Sequence, residues 1–155
     1  VCSSDLGREY FYKGDHENAT RHLIATTLMQ KWPPERAAAY RMLYKMNGNL
    51  SNLYRALQTD PCRRETLVAL AKHYHDHGDW AACKQFAETA ISQDTKPLDY
   101  LCEPEAWGWL AWDLAAISCW NLGLKDLSCV YGGVAIELAP DDQRLRDNMV
   151  FYESR

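Results

Sequence analysis

Three glycines stand in one repeated local frame, and that frame restricts what this chain can fold into. Four residues before Gly14, Gly78 and Gly123 come Tyr10, Tyr74 and Cys119; seven before come Gly7, Ala71 and Ala116; eight before come Leu6, Leu70 and Ala115. Five residues after each glycine stands a small side chain, Ala19, Cys83 or Ser128, and twelve after stands Thr26, Ala90 or Ala135. Pro33, Pro97 and Pro140 close the units. This is the spacing of a helical hairpin whose first helix carries a leucine, a small residue and an aromatic, and whose second is packed through small residues. Small side chains let two helix axes approach closely, and glycine supplies the turn.

The intervals are unequal. Gly14 to Gly78 is 78 − 14 = 64 residues, a little under two periods of about 34. A shortened hairpin is expected to fill that gap, with a first helix over about Glu35 to Met46, a turn at Asn47-Gly48-Asn49 and a second helix over Leu50 to Gln58. Asp60-Pro61 then reads as an N-cap followed by proline at the first helical position, where its missing N–H costs nothing. Gly78 to Gly123 is 123 − 78 = 45 residues, about 11 more than one period. The excess maps to an inserted connection at roughly 92–105, whose two prolines rule out one uninterrupted helix. Such a connection is expected at an edge, where it can serve a binding surface. Ala139-Pro140-Asp141-Asp142 reads as a capped start, and Leu145, Met149 and Tyr152 mark one face of a closing helix.

Composition narrows the function. At 155 residues the chain is in the range of one domain, and its net charge of −4 and pI near 5.7 oppose a nucleic-acid footprint, which needs clustered Lys and Arg. The six cysteines are widely spaced and none forms a Cys-x-x-Cys pair. They read as buried reduced thiols acting as small apolar residues, which points to a cytoplasmic location. The first residues lack the basic end and apolar stretch of a secretory signal. Val1 to Leu6, V-C-S-S-D-L, reads like the translated end of a sequencing adapter, so residues 1–6 are expected to be a non-native leader on a metagenomic fragment and 7–155 a single helical domain.

Ala106 to Leu124 has one charge, Asp113, and four of the six tryptophans. It is not expected to enter a membrane: its five Leu and Ile contribute roughly −0.3 to −0.6 kcal/mol each, about what one central Asp costs at roughly +2.5 to +3.5. A central helix buried on most sides is the expectation.

The arrangement resembles tetratricopeptide repeats over nearly the whole chain, from Leu6-Gly7-x-x-Tyr10 through Leu67-x-x-Leu70-Ala71-x-x-Tyr74 to Trp112-x-x-Ala115-Ala116 and Pro140. That resemblance implies an all-α fold, a right-handed superhelix of antiparallel helix pairs, about four hairpins with the second shortened, ended by a C-terminal capping helix. Departures are the short second repeat and Cys119 at an aromatic position. More narrowly, D-P-C-R-R-E at Asp60 to Glu65, P-E-A-W-G-W at Pro104 to Trp109, and A-P-D-D-Q-R-L-R-D-N-M-V-F-Y at Ala139 to Tyr152 resemble the helical region attached to family-2-type bacterial and phage glycosyltransferases. That implies an accessory part of a larger enzyme whose catalytic domain, with its nucleotide-sugar-binding α/β fold and Asp-x-Asp motif, is not in this chain.

The repeat family's groove positions map to Arg8, Phe11 and Tyr12, to Lys72, His75 and Asp76, and to Asp113, Ile117, Trp120 and Asn121. Aromatics flanked by mixed charges suit an extended or helical peptide; the alternative is that Phe11, Ile117 and Trp120 only pack against neighbouring helices. His73, His75 and His77 read as a solvated helix end, since no H-E-x-x-H pattern supplies further metal ligands. Arg63-Arg64, beside Asp60 and Glu65, read as local helix-end charges. Gly132-Gly133 matches no phosphate loop, and no acid/base pair or nucleophile elbow occurs. The sequence therefore implies no catalytic residue, metal or cofactor in this chain. The expected function is a non-catalytic interaction or scaffold module, with a protein or peptide partner, an attached glycosyltransferase catalytic domain, or a second copy as its associate.

Overall fold

The computed structural model describes residues 2–154, and among these it contains α-helices, one 3-10 turn and no strand. The helices are α1 (Ser3–Tyr12), α2 (His16–Met29), α3 (Pro33–Asn47), α4 (Leu50–Thr59), α5 (Arg64–Asp76), α6 (Trp80–Ser92), α7 (Leu110–Asn121), α8 (Lys125–Leu138) and α9 (Gln143–Glu153), with the 3-10 turn at Pro104–Trp107 before α7. By their contacts the residues form two compact units, Val1–Thr66 and Leu67–Arg155, the boundary falling inside α5. In the first, α1 packs on α2, α2 on α3 and α3 on α4; in the second, α6 packs on α7, α7 on α8 and α8 on α9.

The three glycines of the sequence frame close their turns in the same way. Their φ angles are 76°, 72° and 76°, in the left-handed region that strains any residue with a Cβ. In the first turn the N–H of Gly14 donates to the Phe11 carbonyl (3.1 Å) and that of Asp15 to the Tyr10 carbonyl (2.9 Å). Gly78 and Asp79 repeat this on His75 and Tyr74 (3.1 and 2.9 Å), and Gly123 and Leu124 on Trp120 and Cys119 (3.0 and 2.8 Å). This paired closure, three and five residues back, is the Schellman motif. The residue four before each glycine is thus one of the two whose carbonyls the turn satisfies. Gly48, in the segment where the period runs short, departs from it: its N–H reaches the Tyr44 carbonyl (2.8 Å), the single bond of the simpler left-handed cap.

The residue after each glycine starts the next helix. The Asp15 and Asp79 side chains accept from the N–H groups of Asn18 and Ala82 (3.2 and 3.0 Å), satisfying donors that a helix start leaves over. Leu124 holds the equivalent place at α8 and caps with no side chain. Leu124→Asp is accordingly expected to raise the unfolding free energy by about 0.5–1 kcal/mol, read as a higher urea midpoint at unchanged slope. A lower midpoint would show that the Leu124 side chain, 41% exposed, contributes more by packing than the cap would.

The small residues of the frame are where the helices meet. Ala71, Ala115 and Ala116 before the turns, and Ala19, Cys83, Ser128, Ala90 and Ala135 after them, have no exposed surface. At Gly7 the fit is tighter: a Cβ there would lie 2.9 Å from Leu23 Cδ2, closer than packed side chains come, and 3.3 Å from the Leu23 backbone nitrogen, so Leu23 would have to shift. Leu23 itself is buried with Ala39, Met42 and Leu43, against which Phe11, Tyr40 and Met46 pack.

Several expectations shift. Pro33 opens α3, standing in its first turn. Asp60-Pro61 does not start a helix: α5 begins at Arg64, and the Asp60 carbonyl accepts from the Arg63 N–H (3.2 Å) across a turn. The residue before a proline is driven out of the helical region, and Asp60 sits at φ −141°, ψ 84°. Arg63 and Arg64, at the start of α5, are buried, and Arg63 Nε lies 3.2 Å from Glu65 Oε2. At the closing helix it is Asp142 whose side chain caps, accepting from the Arg144 N–H (3.0 Å), and Leu145 and Tyr152 face inward. Between Ser92 and Pro104 there is no helix; the Asp99 carboxylate accepts from the Leu101 N–H (2.9 Å) and the Cys102 thiol donates to the Pro97 carbonyl (3.3 Å). The helix expected within Ala106 to Leu124 is α7, seven of whose twelve residues are buried. Among the described residues, no helix is long and apolar enough to cross a membrane. Of the cysteines, Cys83 and Cys119 are buried as expected, but Cys2 and Cys62 are exposed and Cys102 and Cys129 half-buried.

Candidate functional site

The predicted groove residues fall in both units. In the first, the Arg8 guanidinium lies 2.6 Å from Asp5 and 4.0 Å from the buried Glu35, which also accepts from the Ser4 hydroxyl and the Gln30 amide. Phe11 packs on the Leu23 cluster, and only Tyr12, edge-on to it and 81% exposed, stands in the open. Phe11 thus has a packing role in the first unit.

In the second unit α5, α7 and α9 contribute. Lys72 and Asp76 are four apart on α5 and pair at 3.3 Å, and Asp76 also meets His75 Nδ1 at 2.9 Å. Partial burial pushes the Asp76 carboxyl up, but the hydrogen bonds from His75 and Lys72 outweigh it and hold the group below its ordinary value. The histidines do not converge: His73 stacks on His77 with centroids 4.1 Å apart, while the His75 ring meets Trp80 edge-on at 5.7 Å. Burial, then the charge of His77, lowers His73. Among the described residues no three His, Cys, Asp or Glu side chains gather as a metal site would require.

On α7 the central feature is Asp113, which is buried yet ion-paired at 2.9 Å with Arg144 of α9. Burial raises its carboxyl and the Arg144 guanidinium only partly offsets this. The guanidinium also lies over the Trp109 ring, 5.3 Å from its centroid. One turn on, Ile117 is half-buried and its carbonyl accepts from the Asn121 amide (2.9 Å). Trp120 is half-buried against Tyr152 (5.9 Å), with the Lys125 ammonium 5.1 Å above its ring. Burial, followed by the charge of Asp113, pushes the Tyr152 hydroxyl well above the usual phenol range.

Sequence reasoning missed the α9 contribution. Arg144, Asn148 and Phe151, spaced four and three apart, share one face of that helix, and Arg144 shows by its bond to Asp113 that this face turns to α7. Phe151 is 62% exposed there. The signal was present in the spacing, but α9 was read only for its inward face of Leu145, Met149 and Tyr152. The side chains gathered there form ion pairs, amide hydrogen bonds and ring contacts. Burial raises both Cys83 and Cys119 thiols, disfavouring the thiolate that nucleophilic chemistry uses.

No protein-family profile matches the chain, and no curated protein matches it in sequence.

Proposed function

We propose that the chain is a non-catalytic interaction module built as a tetratricopeptide-like array of helical hairpins, which takes up a peptide segment along α5, α7 and α9. The observation carrying this reading is the Asp113–Arg144 pair: it ties α7 to α9 and leaves Arg144, with a side chain 48% exposed, fixed between a carboxylate and the Trp109 ring. A guanidinium held in place before binding loses little entropy on meeting an acceptor. The recurrent Schellman turns support the repeat architecture, and six unpaired thiols suit a reducing, cytoplasmic setting.

Panning a random peptide library against the protein tests this. The selected peptides are expected to lose at least about tenfold in affinity, roughly 1.4 kcal/mol, when Phe151→Ala is combined with Lys72→Glu, both exposed positions, with far-UV helicity retained. Peptides that bind the variant as tightly as the wild type, or a panning that enriches none, would overturn the groove. The accessory region of a glycosyltransferase and a stand-alone adaptor remain distinguishable by the coding sequence upstream of Leu6: an α/β domain carrying Asp-x-Asp supports the first, a start codon just before residue 7 the second.

A further inference from the structure

Helix α8 is apolar on the side it does not need for its own packing. It rests on α7 and α9 through Ser128, Gly132 and Ala135, which are buried. A helix covered on one side ordinarily presents charged and polar residues on the other. The exposed residues of α6, the other helix packed on α7, are Ala81, Gln85 and Ser92. On α8 six residues are exposed: the charged Lys125, Asp126 and Glu137, and Leu127, Val130 and Leu138, exposed by 39%, 59% and 51% and in line with the half-buried Val134. Spacings of three, four and four residues make the apolar ones one stripe along the helix. Only three of fourteen residues in α8 are charged, and Lys125 is turned off the stripe, its ammonium over Trp120 and 3.5 Å from the Ser154 carbonyl.

The two remaining charges choose the occupant. Asp126 and Glu137 are exposed at the two ends of the stripe, and among the described residues neither forms an ion pair. Eleven residues at about 1.5 Å each set them roughly 16 Å apart, three helical turns. Gly133 lies between them with open space where a Cβ would stand, so a second helix can approach the backbone closely. Pairing this stripe with another copy of itself would gather four carboxylates around an apolar seam to which α8 brings no cation, Lys125 being turned away. We infer that this face docks an amphipathic helix of basic character, its apolar residues on the Leu127–Val130–Val134–Leu138 stripe and its Lys or Arg side chains, about three turns apart, on Asp126 and Glu137. This surface is distinct from the groove and does not depend on it.

The probe is a fluorescein-labelled synthetic 18-residue Leu/Lys amphipathic helix, titrated with the protein by fluorescence anisotropy beside a Leu/Glu helix of the same pattern. The Leu/Lys helix is expected to bind and the Leu/Glu helix not to. Leu127→Ser with Val130→Ser should weaken binding at least about tenfold, and Asp126→Asn with Glu137→Gln about threefold. The milder pair Leu127→Ala with Val130→Ala, checked by far-UV circular dichroism, guards against loss of fold. Unchanged affinity in both apolar variants would overturn the proposal, reducing the binding to general attraction between a basic peptide and an acidic chain. A concentration-dependent dimer in sedimentation equilibrium, abolished by the same apolar variants, would overturn it in favour of a second copy.

Discussion

Leu23→Ala is expected to lower the unfolding free energy by about 3 kcal/mol or more, and Gly7→Val by about 1–3, yet the two together should cost less than their sum. Leu23 is 1% exposed in the centre of the first unit's core, so its truncation removes apolar burial and leaves a cavity the surrounding helices only partly close. The valine acts in the opposite sense: its Cβ would stand 2.9 Å from Leu23 Cδ2, forcing α1 away from α2. With Leu23 shortened, the valine enters the space the leucine vacated. Urea denaturation of the four species should give a coupling of at least about 1 kcal/mol in favour of the double variant. Strict additivity would show that Gly7 and Leu23 do not set the approach of these helices.

Adjacent glycines of α8 should respond with opposite signs. Gly133 has nothing within 4 Å of where a Cβ would point, so Gly133→Ala gains the helix propensity of alanine, about 1 kcal/mol of stability. Gly132 faces α9: a Cβ there would lie 3.0 Å from the Tyr152 ring and 3.3 Å from the Met149 sulfur. Gly132→Val is expected to push Tyr152 off Trp120 and lower the unfolding free energy by about 2–3 kcal/mol, with a loss of near-UV ellipticity. If both substitutions destabilise, Gly133 is constrained by something other than its own helix; if neither does, α9 is not seated against Gly132.

These contrasts show which parts of the fold could be read from residues alone. The three turns were legible because a Schellman closure fixes several positions at once: the glycine that takes the left-handed angle, and small residues that let the following helix lie close. The Gly48 turn was placed correctly within the shortened hairpin, but nothing in its residues distinguishes a single bond to Tyr44 from the double closure of the others. Asp60-Pro61 carried the composition of a helix start and became a turn, because proline's restriction on the residue before it acted first. The groove was less legible. Spacing placed Phe11 and Trp120 on the inner side of their helices, but an aromatic there serves the core or a partner equally well, and the rings of Phe11 and Trp120 are engaged by the Leu23 cluster and by Tyr152. The Asp113–Arg144 pair joins residues 144 − 113 = 31 apart, and a long-range ion pair leaves no local pattern to find.

The doubly bonded glycine turns also decide where such a chain can grow. One residue added at Gly14, Gly78 or Gly123 would break both backbone bonds of the turn and rotate the following helix by about 100°, carrying Ala19, Cys83 or Ser128 out of contact. One residue added between Ser92 and Pro104 disturbs no helix. Length is therefore cheap between hairpins and ruinous within them, and new sequence acquired by this fold will accumulate in the connection before α7.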